Sequence, residues 1–170
     1  FWHDEYQLNH LMFTYGKPIV AFIDGITMGG GVGIALPCRY RVATENTTFA
    51  MPETGIGLFP DVGGGWFLPR LPGRTGAWLA TTGSRIKGAD CLALGIATHF
   101  IPSDKIEEVK AKILADHANL DAILADASVT PPPAAPTAPT APMGHRGGGF
   151  GLRSQAAVEA AAKALGMTAD

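Results

Sequence analysis

The chain has 170 residues, 46% hydrophobic and 16% charged, with a formal charge of −2 at pH 7 and a pI near 6.2. That suffices for one ordinary globular core with or without a tail, and the 13 Lys and Arg residues are scattered, without the basic stripe that nucleic acid binding needs. The uncharged run between Asp24 and Arg39 is too short and glycine-rich to cross a bilayer, and no basic-then-apolar leader opens the chain. Neither nucleic acid nor membrane is therefore expected as a partner.

In chain order, "FWHDEYQLNHLMF" spaces its apolar residues as an amphipathic helix does. No N-cap signal precedes it, so the chain is expected to lack a front segment. After Gly16 and Pro18 comes "IVAFI", a buried-type strand, then the triple glycine Gly29, Gly30 and Gly31, then "VGIALPC" as a helical turn or two. "YRVAT" and "TTFAMP" read as strands, "GRTGAWLATTG" and "KGADCLALG" as helices ending in glycine, "IATHFI" as a strand, and "DKIEEVKAKILADHANLDAIL" as one long amphipathic helix. This alternation predicts an α/β domain over residues 1–125 with mostly parallel pairing. From residue 126 to 170 the proline-rich and glycine-rich composition predicts a linker or tail, with a short Ala-rich helix at 154–166.

The glycines fit two readings, a tight packing turn or a place where backbone N–H groups at a helix start face an anion or developing oxyanion. A phosphate loop is excluded because no Lys-Ser or Lys-Thr follows, and the dinucleotide fingerprint fails at Ile34. Glu53 and Asp61 stand among apolar residues, prolines and glycines, where carboxylate pKa values shift; each also fits a cap or turn residue. His99 reads as a core or edge histidine. Trp66 and Phe67 read as core or pocket wall, and Arg70, Arg74, Arg85 and Lys87 as surface charges or phosphate partners. Cys38 and Cys91 have no metal-ligand spacing, so neither a zinc site nor a disulfide framework is expected, and a reducing compartment is.

"GITMGGGVG", "AMPETGIGLFPDVGGG" and "TGSRIKGADCLALGIATHFIP" resemble the enoyl-CoA hydratase/isomerase (crotonase) superfamily, over residues 1 to about 125. The resemblance implies a ββα spiral lacking its N-terminal part, an acyl-CoA thioester as substrate, no metal or redox cofactor, and homo-oligomers by family. It also implies that Gly30 donates a backbone N–H to the oxyanion. Hydratases of the superfamily carry a glutamate two residues after the triple glycine, where this chain has Gly33. The closer match is to the branch that hydrolyses 3-hydroxyisobutyryl-CoA in valine breakdown. There Glu53 would be the principal catalytic carboxylate, Asp61 would hold the substrate hydroxyl, and Glu5 would bind substrate, although Glu5 equally fits a solvated helix charge. An inactive fragment acting as a binding module, and a hydratase or isomerase, are the alternatives. Composition favours a bacterial cytoplasm over a mitochondrial matrix.

Overall fold

The computed structural model describes residues 2–132; most of the expected tail, including the 154–166 helix, lies outside them. Helix α1 (Trp2–Thr14) leads to β1 (Val20–Ile23) and β2 (Ile26–Met28), then α2 (Gly30–Ala35). The pattern repeats with β3 (Tyr40–Ala43) and β4 (Thr48–Ala50), followed by a 3-10 turn at Glu53–Ile56, α3 (Gly64–Phe67) and α4 (Thr75–Thr82). Strand β5 (Ile86–Lys87), α5 (Gly88–Ala93) and β6 (His99–Phe100) complete the strands, and α6 (Ile106–Ala115) and α7 (Leu120–Ala127) close the described region.

Each rung of this winding gives one strand to each of two sheets. The first sheet runs β1-β3-β6 and the second β2-β4-β5. All pairs are parallel except β4 with β5, as the alternation of strands and helices requires. The chain crosses between sheets at sharp corners, which threonines tie together. Thr47 Oγ1 donates to Ile23 O at 2.6 Å and accepts from Thr44 N at 2.8 Å. Thr44 Oγ1 in turn donates to Asp24 Oδ1 at 2.6 Å. Buried polar groups are thereby satisfied where the backbone turns.

Period-two alternation sends the strand side chains to two cores. Ile23, Ala43 and Phe49 join Val32, Met51 and Leu79 between the sheets and helices. Tyr40 and Val42 point to the other face, where Ile106, Val109, Leu120 and Leu124 of α6 and α7 cover them. Fully buried Phe49, Met51 and Leu79 contribute about 2 kcal/mol each by burial.

Four expectations need correction. The glycine turn after "IVAFI" also holds a strand, β2, which at three residues is too short to show a period. The long helix is broken at Asp116, whose φ and ψ of −144° and 69° leave the helical region. Asp116 O accepts from Asn119 N at 3.3 Å and its carboxylate from Asn119 Nδ2 at 2.7 Å, local bonds that compete with a continuing helix. That break lets α7 turn back and set Leu120 and Leu124 into the core. Helix α1 buries no residue, and Trp2, Tyr6, Leu8, Leu11 and Phe13 are exposed; its half-buried stripe is Glu5, Asn9 and Met12. Finally, the strand in "IATHFI" is only His99–Phe100; Thr98 N still donates to Arg41 O at 2.8 Å and Ile101 N to Ala43 O at 2.9 Å, but Arg41 N is taken by the Thr98 hydroxyl at 2.8 Å. Helix α7 ends at Ala127, and Val129 N beyond it donates to Phe100 O at 2.9 Å.

Candidate active site

In parallel sheets the carboxyl ends of neighbouring strands open a crevice, and here the register decides what meets there. Met28 pairs with Ala50, so the segments after β2 and β4 emerge side by side. The first carries the triple glycine and the second carries Glu53. Gly29 has φ 51° and ψ −124°, a conformation open to glycine and strained for any side chain. It is the N-cap of α2, and its carbonyl accepts from Val32 N at 2.9 Å and Gly33 N at 3.3 Å. The N–H groups of Gly30 and Gly31, at the first two helical positions, have no partner within the helix by its geometry.

Glu53 opens the 3-10 turn after β4 and Pro52. Its side chain reaches back toward the glycines: a methyl group on Gly29 would lie 3.9 Å from Glu53 Oε1. The residue is 7% exposed, and neither carboxylate oxygen has a hydrogen-bond partner among the described residues. Burial pushes its pKa up, its own backbone N–H draws it part of the way back, and the negative charge of Asp61 adds a smaller rise. A buried, unpaired carboxylate is costly and clusters at functional sites.

The other carboxylates converge from elsewhere. Glu5, half-buried on α1, places Oε1 3.6 Å from where a Gly30 side chain would begin. Asp61 is half-buried in the loop before α3, and its carbonyl accepts from Gly64 N at 2.6 Å. The structure thus brings Glu5, Gly30, Glu53 and Asp61 into one neighbourhood.

Two residues at this place were not anticipated. Val62 follows Asp61 with φ 43°, the one non-glycine residue with positive φ among the described residues. It is 3% exposed, and a Cβ on Gly33 would fall 2.6 Å from Val62 Cβ and 3.0 Å from its Cγ1. Asn9 lies one turn beyond Glu5 on the same face of α1. Its Nδ2 is buried without a partner among the described residues and stands 3.3 Å from the same Gly33 position. The spacing from Glu5 marks Asn9 in the sequence, whereas nothing local marks Val62.

Other candidates fall outside this neighbourhood. Trp66 is 55% exposed and so does not fill the core; the Arg70 guanidinium stacks over its ring at 3.4 Å, with Phe13 edge-on at 5.9 Å. Phe67 packs edge-on against Phe49 at 6.5 Å. Lys87 Nζ donates to Thr48 Oγ1 at 2.8 Å across the β4–β5 pair. His99 Nδ1 lies 2.8 Å from Thr98 Oγ1, and burial holds its pKa below the ordinary value, with Asp121 pulling the other way. Cys38 and Cys91 are free and buried. Among the described residues no helix is long and apolar enough to cross a membrane, and no cluster of three or more His, Cys, Asp or Glu could hold a metal.

Two sheets fed one strand each per rung, with a glycine-opened helix at their carboxyl edge, constitute the crotonase fold. Solved structures bear this out. A carnitinyl-CoA dehydratase from Mycobacterium thermoresistibile superposes with a TM-score of 0.73 at 47% identity, covering 79% of this chain and 39% of that one. An enoyl-CoA hydratase from Rhodobacter sphaeroides gives 0.65 at 36% identity, covering 72% and 40%. The chain belongs to the enoyl-CoA hydratase/isomerase family, whose model matches residues 1–164. Curated relatives include the mitochondrial 3-hydroxyisobutyryl-CoA hydrolases of Xenopus tropicalis, 61% identical over 115 residues, and Homo sapiens, 56% identical over 115 residues. Each alignment takes in 68% of this chain and 30% of the relative, so the chain spans about 30% of the length of these relatives.

Proposed function

We propose that this chain carries catalytic residues of an acyl-CoA thioester hydrolase acting on 3-hydroxyisobutyryl-CoA, yielding 3-hydroxyisobutyrate and coenzyme A. The observation that carries the reading is one carboxylate, Glu53, the single buried one among the described residues, aimed at the glycine-opened end of α2, with no room for a second at Gly33. Adding water across a double bond uses paired carboxylates; splitting a thioester needs one nucleophile or base and a donor for the oxyanion.

In this reading Glu53 attacks the thioester carbonyl, the C–S bond breaks and coenzyme A leaves as the thiolate, which takes its proton from water; a second water then attacks the mixed anhydride, releasing 3-hydroxyisobutyrate and restoring the Glu53 carboxylate. The alternative at the same residue is that Glu53 takes a proton from water that attacks directly. Its raised pKa makes it a stronger base than an ordinary glutamate. The Gly30 N–H donates to the oxyanion, Asp61 holds the 3-hydroxyl and aids proton transfer, and Glu5 binds substrate. No step calls on a metal or redox cofactor. The curated relatives' names favour a mitochondrial location over the bacterial cytoplasm that composition suggested, and homo-oligomers remain a family-level proposal.

The test sets thiol release from 3-hydroxyisobutyryl-CoA beside hydration of crotonyl-CoA, in this chain and in a full-length protein carrying it. Thiol release without hydration supports the proposal. Hydration alone favours the hydratase reading that two of the solved neighbours' names suggest. A full-length protein inert toward both sinks the proposal.

A further inference from the structure

The strained backbone at Val62 lies where two parts of the site meet. A β-branched residue with φ 43° is a steric outlier that persists only where its surroundings over-determine it. Here they do so from two sides. The Val62 side chain is driven into the notch over Gly33, where even a Cβ would lie 2.6 Å away. On the far side of the turn, Gly63 has φ 88° as the N-cap of α3. A Cβ on Gly64 would there meet Pro60 Cβ at 2.9 Å and Met51 Cε at 3.4 Å. Met51 lies two residues before Glu53. The segment carrying Asp61 is thus clamped between α2 and the strand end that carries Glu53.

We propose that Val62 is a positioning residue: wedged over Gly33, it keeps position 33 free of any side chain and fixes Asp61 beside Glu53. The wedge excludes a second carboxylate from α2 by volume, and the strained turn sets the direction of the one that remains in the loop. The catalytic half of this proposal rests on the hydrolase reading; the packing half does not.

Full-length proteins carrying Gly33→Ala, Val62→Gly, both changes, or Val62→Thr are compared with the wild type in melting temperature, and in kcat and KM for thiol release across pH. Gly33→Ala is expected to lower the melting temperature by about 5 °C or more when Val62 is intact and to have little effect in the Val62→Gly background. A Gly33→Ala protein that fails to fold while the double variant folds gives the same answer, whereas equal shifts in both backgrounds overturn the wedge. Val62→Gly is expected to lower kcat by about tenfold to a hundredfold, as a misplaced group does, and to raise KM as well, because Asp61 also holds the 3-hydroxyl. Its acid limb should move to lower pH, because the Asp61 charge is no longer held against Glu53. Val62→Thr keeps the shape and should keep the rate. A kcat that follows only the folded fraction, or a threonine variant as impaired as the glycine one, overturns the positioning role. A wild type that releases no thiol overturns the hydrolase reading and the catalytic half with it, and the melting comparison then decides the wedge alone.

Discussion

Met28 and Ala50 face each other across the parallel β2–β4 pair, and that register puts Gly29 within 3.9 Å, at its would-be Cβ, of the Glu53 carboxylate. Neither oxygen of that carboxylate has a hydrogen-bond partner among the described residues.

Replacing Glu53 by Gln should lower the rate of thiol release at least about 100-fold, the low end for a positioned acid-base group. The same change should raise stability at neutral pH. The folded chain holds the Glu53 proton more tightly than the unfolded chain, whose reference value is 4.5. Glu53 therefore lowers stability as the pH rises from 4.5 through its folded pKa, and the penalty is complete above it. Denaturant titrations should show Glu53→Gln more stable than wild type by on the order of 1 kcal/mol at pH 7, with the difference vanishing below the reference value of 4.5. A pH-independent difference would refute this account.

Three glycines separate space from conformation. A Cβ on Gly76 would sit 1.7 Å from Leu68 O and one on Gly88 2.1 Å from Thr44 O, both rigid backbone. Alanine at either should destabilise by about 3 kcal/mol or more, as overpacking against unyielding atoms does. A Cβ on Gly31 would meet nothing within 4 Å outside its own helix, and the residue lies inside α2, so Gly31→Ala should be neutral or stabilise by about 0.5–1 kcal/mol. Chemical denaturation of the three variants measures the contrast.

Both thiols should be silent in the native protein. Burial pushes the Cys91 thiol up to about 12, and Cys38, whose Sγ lies 3.2 Å from Ile34 O, is also raised by burial. The thiolate is the reactive form. An aromatic disulfide reagent at about pH 8, near the pKa of a free thiol, should therefore label neither cysteine on the native chain and both in denaturant; rapid native labelling of Cys91 would contradict its burial.

Thr47 joins consecutive rungs through two bonds in a fully buried position. Thr47→Val keeps the volume and removes both, leaving Ile23 O and Thr44 N without this partner. A loss of about 2–3 kcal/mol is expected in urea unfolding, the scale for stranding buried backbone groups. Thr82→Val, at an exposed helix end, is the control and should change little.

Much of this arrangement is legible in the amino-acid order because local rules and tertiary structure agree. "IVAFI" and "YRVAT" read as strands and form β1 and β3, and Gly83 and Gly95 end α4 and α5 with positive φ, as the glycines at those ends predict. Glu53 and Asp61 announce themselves as carboxylates among apolar neighbours. Where the sequence misleads, a long-range contact overrides a local pattern. Trp66 reads as core or pocket wall; the core reading fails because its ring meets Phe13 of α1 at an exposed position. The apolar residues of α1 suggest an inward face, yet the face toward α2 is Glu5 and Asn9. Val62 is illegible for the same reason: its meaning depends on the missing side chain of Gly33, twenty-nine residues earlier.

The left-handed backbone at Val62 offsets part of what a buried valine contributes by packing. Glycine suits that conformation and valine resists it, so in a search for hardier variants by heat alone that relief works against the valine while its lost packing works for it. Selection for turnover has a reason to keep it. Opposite preferences under the two screens would make this one position a meter of how far endurance and reactivity diverge in this fold.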